Sequence, residues 1–233
     1  MLDTMKQGAK LEKYKFAVLA ADVALFSLRE GELVVRLIKV ERPPYFDGVP
    51  GLPGGLVHPS ETAEATITRI IKDKALVNPS KVHLEQLYTF SKVDRDPRGR
   101  VVAVGYLALV PWESLTASEQ GDSKEVYWHK VSKAPKLAYD HDEVLRVATK
   151  RLASRVSYTT VIAKLLAGTF TLTELENAYE SILNRAIDKR NFRKKVSRIG
   201  VIESTGKQSV GGRHRPALLY RFKSSKVEEI EPL

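Results

Sequence analysis

The stretch 188-DKRNFRKKVSRIG-200 reads as one short amphipathic helix with a cationic face. Phe192, Val196 and Ile199 recur at spacings of four and three, so they share one side and can pack on neighbouring helices. Asp188 is a suitable N-cap and Gly200 a suitable stop. Lys189, Arg190, Asn191, Arg193, Lys194 and Arg198 fill the remaining surface. Arginine can pair with guanine edges and asparagine with adenine edges, while lysine mostly meets phosphate. A solvated basic face is the plain alternative, but this density of cations and amides exceeds what solubility needs.

The flanking segments agree. Upstream, Val161, Ile162, Leu165 and Leu166 follow a helical period, and 170-FTLT-173 leads into a second helix, Glu174 to Leu183. Thr173 is the expected N-cap there, with Glu176 completing a capping box. Asn184 to Ile187 forms the connection. Downstream, Val201 to Ser204 and Ala217 to Phe222 read as two strands. The glycine-rich tip between them carries Arg213, His214 and Arg215. Helix, helix, basic helix and hairpin is the order of a winged helix-turn-helix, whose third helix enters the major groove. The tip would grip phosphates or reach into a minor groove.

Charge follows the same division. The chain has 233 residues and a net charge of +10. Residues 150–233 hold 17 Lys+Arg against 8 Asp+Glu, whereas residues 1–149 hold 21 against 20. Basicity confined to the last third points to a nucleic-acid face. Cysteine is absent, which excludes disulfides, thiol nucleophiles and Cys-ligated zinc, and suits an intracellular home. No apolar run approaches the roughly 20 residues of a membrane span. We therefore expect a cytoplasmic protein that associates with the nucleoid through DNA.

The first part reads as strands around a central helix. Phe16 to Phe26 and Leu33 to Val40 form a hairpin across the Glu30-Gly31 turn. Glu41 to Gly55, rich in proline and glycine, reads as a loop. Ser60-Glu61-Thr62 opens a helix running to about Leu76, and Val82 to Phe90 and Val101 to Val110 are strands. Helical periods resume near Asp140. The expected fold class is α+β, with domains 1–152 and 153–233 and a boundary in or just after a linking helix.

Leu52-Pro53-Gly54-Gly55, Glu61 and Arg69 carry a further signal. Their spacing resembles the start of a Nudix box, G-x5-E-x7-R-E-U-x-E-E-x-G-U with U aliphatic. In hydrolases of that family, clustered carboxylates hold magnesium against a pyrophosphate. Here Gly55, Glu61 and Arg69 match. Ile70 stands in place of the next glutamate, Asp73 and Lys74 in place of the metal-binding pair, and Leu76 in place of the terminal glycine. The frame is kept and the ligand set is lost, so a catalytically dead site without metal or other cofactor is expected. A dead site can still bind an anion through its glycine loop. Gly54, Gly55 and Arg69, with Lys39, Arg42 and Arg98, are the candidate phosphate contacts; Glu61 is a further ligand-binding candidate, though Glu61 and Arg69 equally suit a pair that fixes the loop, and Phe46 or Tyr45 is the candidate stack for a base. His141 beside Asp140 and Asp142 is a poor catalytic pair, because adjacent residues on a helix do not face one another.

The two halves together resemble the Nudix-related transcriptional regulators of NAD metabolism, the NrtR family. Arg42-Pro43-Pro44, 87-LYTF-90, 94-DRDPRGR-100, 106-YLALVP-111, 137-LAYDH-141, 191-NFR-193 and 219-LYRF-222 are among the stretches that carry the likeness. The resemblance implies an N-terminal Nudix-like α/β/α sandwich and a C-terminal winged helix-turn-helix. It also implies a homodimer on a palindromic double-stranded operator and an effector, ADP-ribose or a related nucleotide, that lowers DNA affinity, with repression as the default. The competing expectation is a Nudix hydrolase acting on ADP-ribose or a related nucleoside diphosphate.

Overall fold

Strand β1 (Val18–Arg29) is buried along nearly its whole length and forms the axis of the first half. The computed structural model describes residues 16–209 and 216–232. β1 runs parallel to β6 (Val101–Leu109) and antiparallel to β2 (Glu32–Arg42). β5 (His83–Phe90) extends the sheet beyond β6, and β3 (Phe46–Gly51) extends it beyond β2. β4 (Gly54–Leu56) pairs with β1, and β7 (Val126–Lys130) pairs with β2, completing a seven-stranded sheet.

Period two along β1 decides the layers. Ala21, Val23 and Leu25 face α1 (Ala63–Asp73), which buries Ile67, Ile70 and Ile71 against them. Ala24, Phe26 and Leu28 face the other way, toward Val144, Ala148 and Leu152 of α3 (His141–Tyr158). The result is the expected α/β/α sandwich. A single-turn helix, α2 (Ala117–Gln120), accepts the Trp128 indole N–H of β7 at its Glu119 carbonyl.

The segment 41–55 is not the loop its glycines and prolines suggest. It contains β3 and β4, short strands that tolerate Pro50 and Gly51 because they pair only at the margin of the sheet. β1 pairs with β2 through Phe26–Arg29 and with β4 through Ala20–Asp22. The sheet therefore forks along β1.

The second half holds β8 (Phe170–Thr171), α4 (Leu172–Leu183), α5 (Lys189–Ile199), β9 (Ile202–Gln208) and β10 (Leu218–Phe222). The three strands form a small sheet in the order β8-β10-β9. This is a winged helix-turn-helix with a third strand, β8, too short to register in the sequence pattern. Residues Val161 to Leu166, expected to be helical, begin as a 3-10 turn over Thr160–Lys164. The N-cap of α4 is Thr171 with Glu174, not Thr173 with Glu176. The segment 171-TLTELE-176 offers the capping pattern twice. Starting at Thr171 places Leu175, Ala178, Tyr179 and Ile182 in the core, and packing decides the frame. Asp188 and Gly200 bound α5 as expected; Gly200 is left-handed at φ 71°.

One apolar cluster joins the halves, running from Phe26 and Leu37 through Val156 to Phe170, Tyr179 and Val196. α3 passes unbroken through position 152, where the boundary was expected. The backbone N–H of Leu33 donates to Ser181 Oγ on α4 (2.7 Å), so the winged helix also leans on the first hairpin. The wing-tip residues Arg213, His214 and Arg215 lie outside the described residues.

Candidate ligand pocket and nucleic-acid interface

The fork along β1 opens into a cavity of about 510 Å³. That is within the range of small-molecule sites. β2 supplies Lys39 and Arg42, β4 supplies Gly54 and Gly55, the end of α1 supplies Asp73, Lys74 and Leu76, and the 94–99 loop supplies Arg95 and Arg98. Tyr139 and His141, at the head of α3, form the far wall. Two non-glycine residues of this wall, Leu76 (φ 56°) and Tyr139 (φ 55°), are left-handed. Such strain persists only where surrounding contacts impose it, and it gathers at binding sites.

Buried charge organises the floor. Arg95 donates to Asp22 (2.8 Å) and in a fork to Asp140 (2.7 and 2.9 Å). The His141 Nδ1 accepts the Leu52 N–H at 2.9 Å, which turns its Nε2 toward Asp22 at 3.7 Å. Burial pushes the Asp22 carboxyl up, but hydrogen bonding and charge from His141 and Arg95 outweigh it, so Asp22 stays below its usual range. Gly54 has no freedom to change: a Cβ there would collide with Asp22 Oδ1 and lie 3.3 Å from the Ala21 carbonyl. Arg98 is forked onto Asp96 and lies 5.5 Å from the Tyr139 ring centroid. Phe46 backs Tyr139 at 4.4 Å, so Tyr139 rather than Phe46 presents its ring to the cavity.

The box residues split between framework and pocket. Arg69 donates to both oxygens of Glu61 (2.8 and 2.7 Å), and Thr66 adds a third hydrogen bond. The Arg69 bonds hold the Glu61 carboxyl down at about 2. Neither residue lines the cavity; they brace the turn between β4 and α1. Ile70 is fully buried in the core. Lys74 donates from Nζ to the Gly54 carbonyl at 2.5 Å. Magnesium needs several hard oxygen donors converging on one point. With Glu61 engaged, Ile70 apolar and an ammonium at Lys74, the residues present do not fit that ion. Among the described residues, no group of three His, Asp or Glu converges as a metal site.

On α5, Val196 is buried and Phe192 packs edge-on against Tyr179 at 4.9 Å, so the apolar stripe faces inward. The opposite face carries Arg190 and Lys194, and Lys189 stands at the helix's first turn; all three are exposed and without a carboxylate within 4 Å among the described residues. Two expected DNA contacts are otherwise engaged. Asn191 Nδ2 donates to Asp188 (2.8 Å), and Arg193 makes a two-pronged pair with Glu176, which is completely buried. Arg198 pairs with Glu231 of the C-terminal tail.

Comparison with known proteins places this geometry. A model of the NrtR DNA-binding winged helix domain matches residues 162–222, and the Nudix domain model matches residues 18–148. An ADPR responsive transcriptional repressor NtrR from Acinetobacter baylyi is 34% identical over 90% of this chain and 83% of its own length. The chain belongs to the NrtR family. Shewanella oneidensis NrtR, solved with a 27mer DNA, superposes at a TM-score of 0.75 with 32% identity, covering 88% of this chain and 93% of that one. Its Nudix domain, solved with ADP ribose, superposes at 0.53 with 29% identity, covering 65% and 99%. An ADP-ribose pyrophosphatase from Methanocaldococcus jannaschii is 35% identical over 58% of this chain and 77% of its own.

Within this NrtR-family chain, Lys39, Arg42, Gly54, Gly55 and Arg98 meet at the cavity, while Phe46, Glu61 and Arg69 do not line it. Asp22, Lys74, Arg95, Tyr139 and His141 are wall residues that were not among the ligand contacts expected from the sequence. Asp22 was legible in one respect: it is the single charged residue in an otherwise apolar strand segment, 16-FAVLAADVALF-26. A lone carboxylate there must find a partner, and Arg95 and His141 are that partner.

Proposed function

We propose that this protein is a transcriptional repressor that binds a palindromic operator as a homodimer and releases it when ADP-ribose, or a related NAD-derived nucleotide, fills the pocket. It does not hydrolyse that nucleotide, and it works in the cytoplasm on nucleoid DNA. The observation that carries this reading is the course of α3. Tyr139 and His141 at its head wall the pocket, and Val156 near its end accepts a hydrogen bond from Tyr179 of α4 (3.1 Å). One rigid rod of 18 residues, about 27 Å long, thus joins pocket to DNA-binding unit.

The physics is linkage. A nucleotide that prefers the arrangement unable to bind DNA weakens DNA binding by the same free energy. A dimer on a palindrome must set its two α5 helices roughly 34–36 Å apart. A small tilt of α3 is enough to lose that spacing. The DNA and ADP-ribose complexes of Shewanella oneidensis NrtR support the reading. The pyrophosphatase relative favours hydrolysis instead, but the engaged Glu61 and the ammonium of Lys74 oppose it.

An electrophoretic shift on upstream DNA of NAD-related genes tests the proposal. Binding at fixed salt should fall when ADP-ribose is added. Unchanged operator affinity at saturating ADP-ribose would overturn it. Incubation with ADP-ribose and magnesium should yield no AMP; steady AMP release would establish the hydrolase.

A further inference from the structure

We infer that Lys74 stands in for a metal ion: its ammonium, with Arg42, holds the diphosphate of a bound nucleotide, so that binding requires no divalent cation. The inference rests on the proposed nucleotide pocket and adds the chemistry that receives the anion. Among the described residues, five Lys and Arg side chains line the cavity: Lys39, Arg42, Lys74, Arg95 and Arg98. Lys39 is paired with Glu41, Arg95 with Asp22 and Asp140, and Arg98 with Asp96. Arg42 and Lys74 have no carboxylate within 4 Å among the described residues.

An ammonium has three N–H donors. Lys74 spends one on the Gly54 carbonyl. The cavity is the direction left to the others. Gly55 leaves the ammonium uncovered on that side, because a Cβ there would sit 3.4 Å from Lys74 Nζ. Arg36 fixes the approach, donating from a buried Nε to the Ala75 carbonyl at 3.0 Å, which holds the turn after Lys74. Burial, then the charges of Arg42, Arg69 and Arg98, lower the Lys74 pKa. An entering anion relieves that repulsion. Lysine serves phosphate as a compact point charge, which is the electrostatic task a divalent ion would otherwise perform.

Calorimetric titration of the full chain tests this, with ADP-ribose and with inorganic pyrophosphate as separate titrants. ADP-ribose should bind equally well in EDTA and in magnesium. Lys74→Met should weaken binding of both titrants by roughly tenfold or more. Lys74→Arg should restore most of it, while both variants keep wild-type operator binding without nucleotide. Loss of wild-type ADP-ribose binding in EDTA, or undiminished binding by Lys74→Met, overturns the inference. Pyrophosphate binding that depends on Lys74 without any ADP-ribose binding would sink the nucleotide-effector reading and leave the inference standing. Binding of neither titrant would sink both.

Discussion

The pocket and the outer face of α5 are both rich in cations, yet they are built on opposite principles. In the pocket, Arg95 is buried and answered by Asp22 and Asp140, and Arg98 is answered by Asp96. On α5, Lys189, Arg190 and Lys194 stand in solvent with no acid opposite among the described residues. A buried charge must be paired or its desolvation cost destabilises the fold. An exposed one costs little and keeps its field for a polyanion. Substitutions of the paired pocket cations should therefore act on stability, and those on the outer face of α5 on DNA affinity and its salt dependence.

The largest expected effect is at Arg95. Arg95→Met strands Asp22 and Asp140 beside each other, and thermal or denaturant unfolding should record a loss of about 3–5 kcal/mol. A loss below about 1 kcal/mol would mean that the triad is solvated and the contrast overstated.

Arg193 is the intermediate case, half exposed yet paired with a buried acid. Arg193→Ala leaves the Glu176 carboxylate without its partner and should cost about 1–3 kcal/mol of folding stability. The salt dependence of DNA binding should stay as it was. Undiminished stability with a sequence-specific loss of DNA affinity would return Arg193 to the base-reading side.

Lys194→Ala belongs wholly to the second region. It should leave unfolding unchanged and lower the slope of log affinity against log salt by roughly one. A parallel slope in binding titrations would remove Lys194 from the phosphate contacts.

Leu76 is a smaller test. Its left-handed backbone costs a residue with a Cβ more than it costs glycine. Leu76→Gly should stabilise by about 0.5–1 kcal/mol in denaturant melts. Destabilisation would show that the Leu76 side chain contributes more by packing than its exposure suggests.

The smallest effect is the pH dependence of the Glu61–Arg69 brace. The hydrogen bonds from Arg69 lower the Glu61 carboxyl from 4.5 to about 2. A depressed acid contributes stability above its unfolded value and loses it as pH falls through the folded one. The stability gap between wild type and Arg69→Met should therefore be full above 4.5 and close toward 2. A gap that does not change over that interval would mean the brace acts through packing.

Much of the fold was legible in the sequence because the signals were local. Asp188 and Gly200 bound α5, the i, i+4, i+7 stripe of Phe192, Val196 and Ile199 orients it, and the Gly55–Glu61–Arg69 spacing marks the turn into α1. What escaped was non-local. Asp22, Arg95 and His141 are separated by 73 and 46 positions, and no periodicity links them. The β3 and β4 strands were hidden by their glycines and prolines, and the frame of 171-TLTELE-176 was ambiguous between two equal capping patterns.

The order of charges, caps and apolar periods along the chain was enough to specify a basic winged helix, since each of those features acts within a few residues, and the unit before it was legible through its box's resemblance to the Nudix family. Which cations remain available to an anion was settled only in three dimensions. Glu176 claims Arg193, and Asp22 and Asp140 claim Arg95, while Lys74 and Arg42 meet backbone carbonyls but no carboxylate within 4 Å among the described residues. Pairing depends on distance through space and on burial, neither of which the order of residues records.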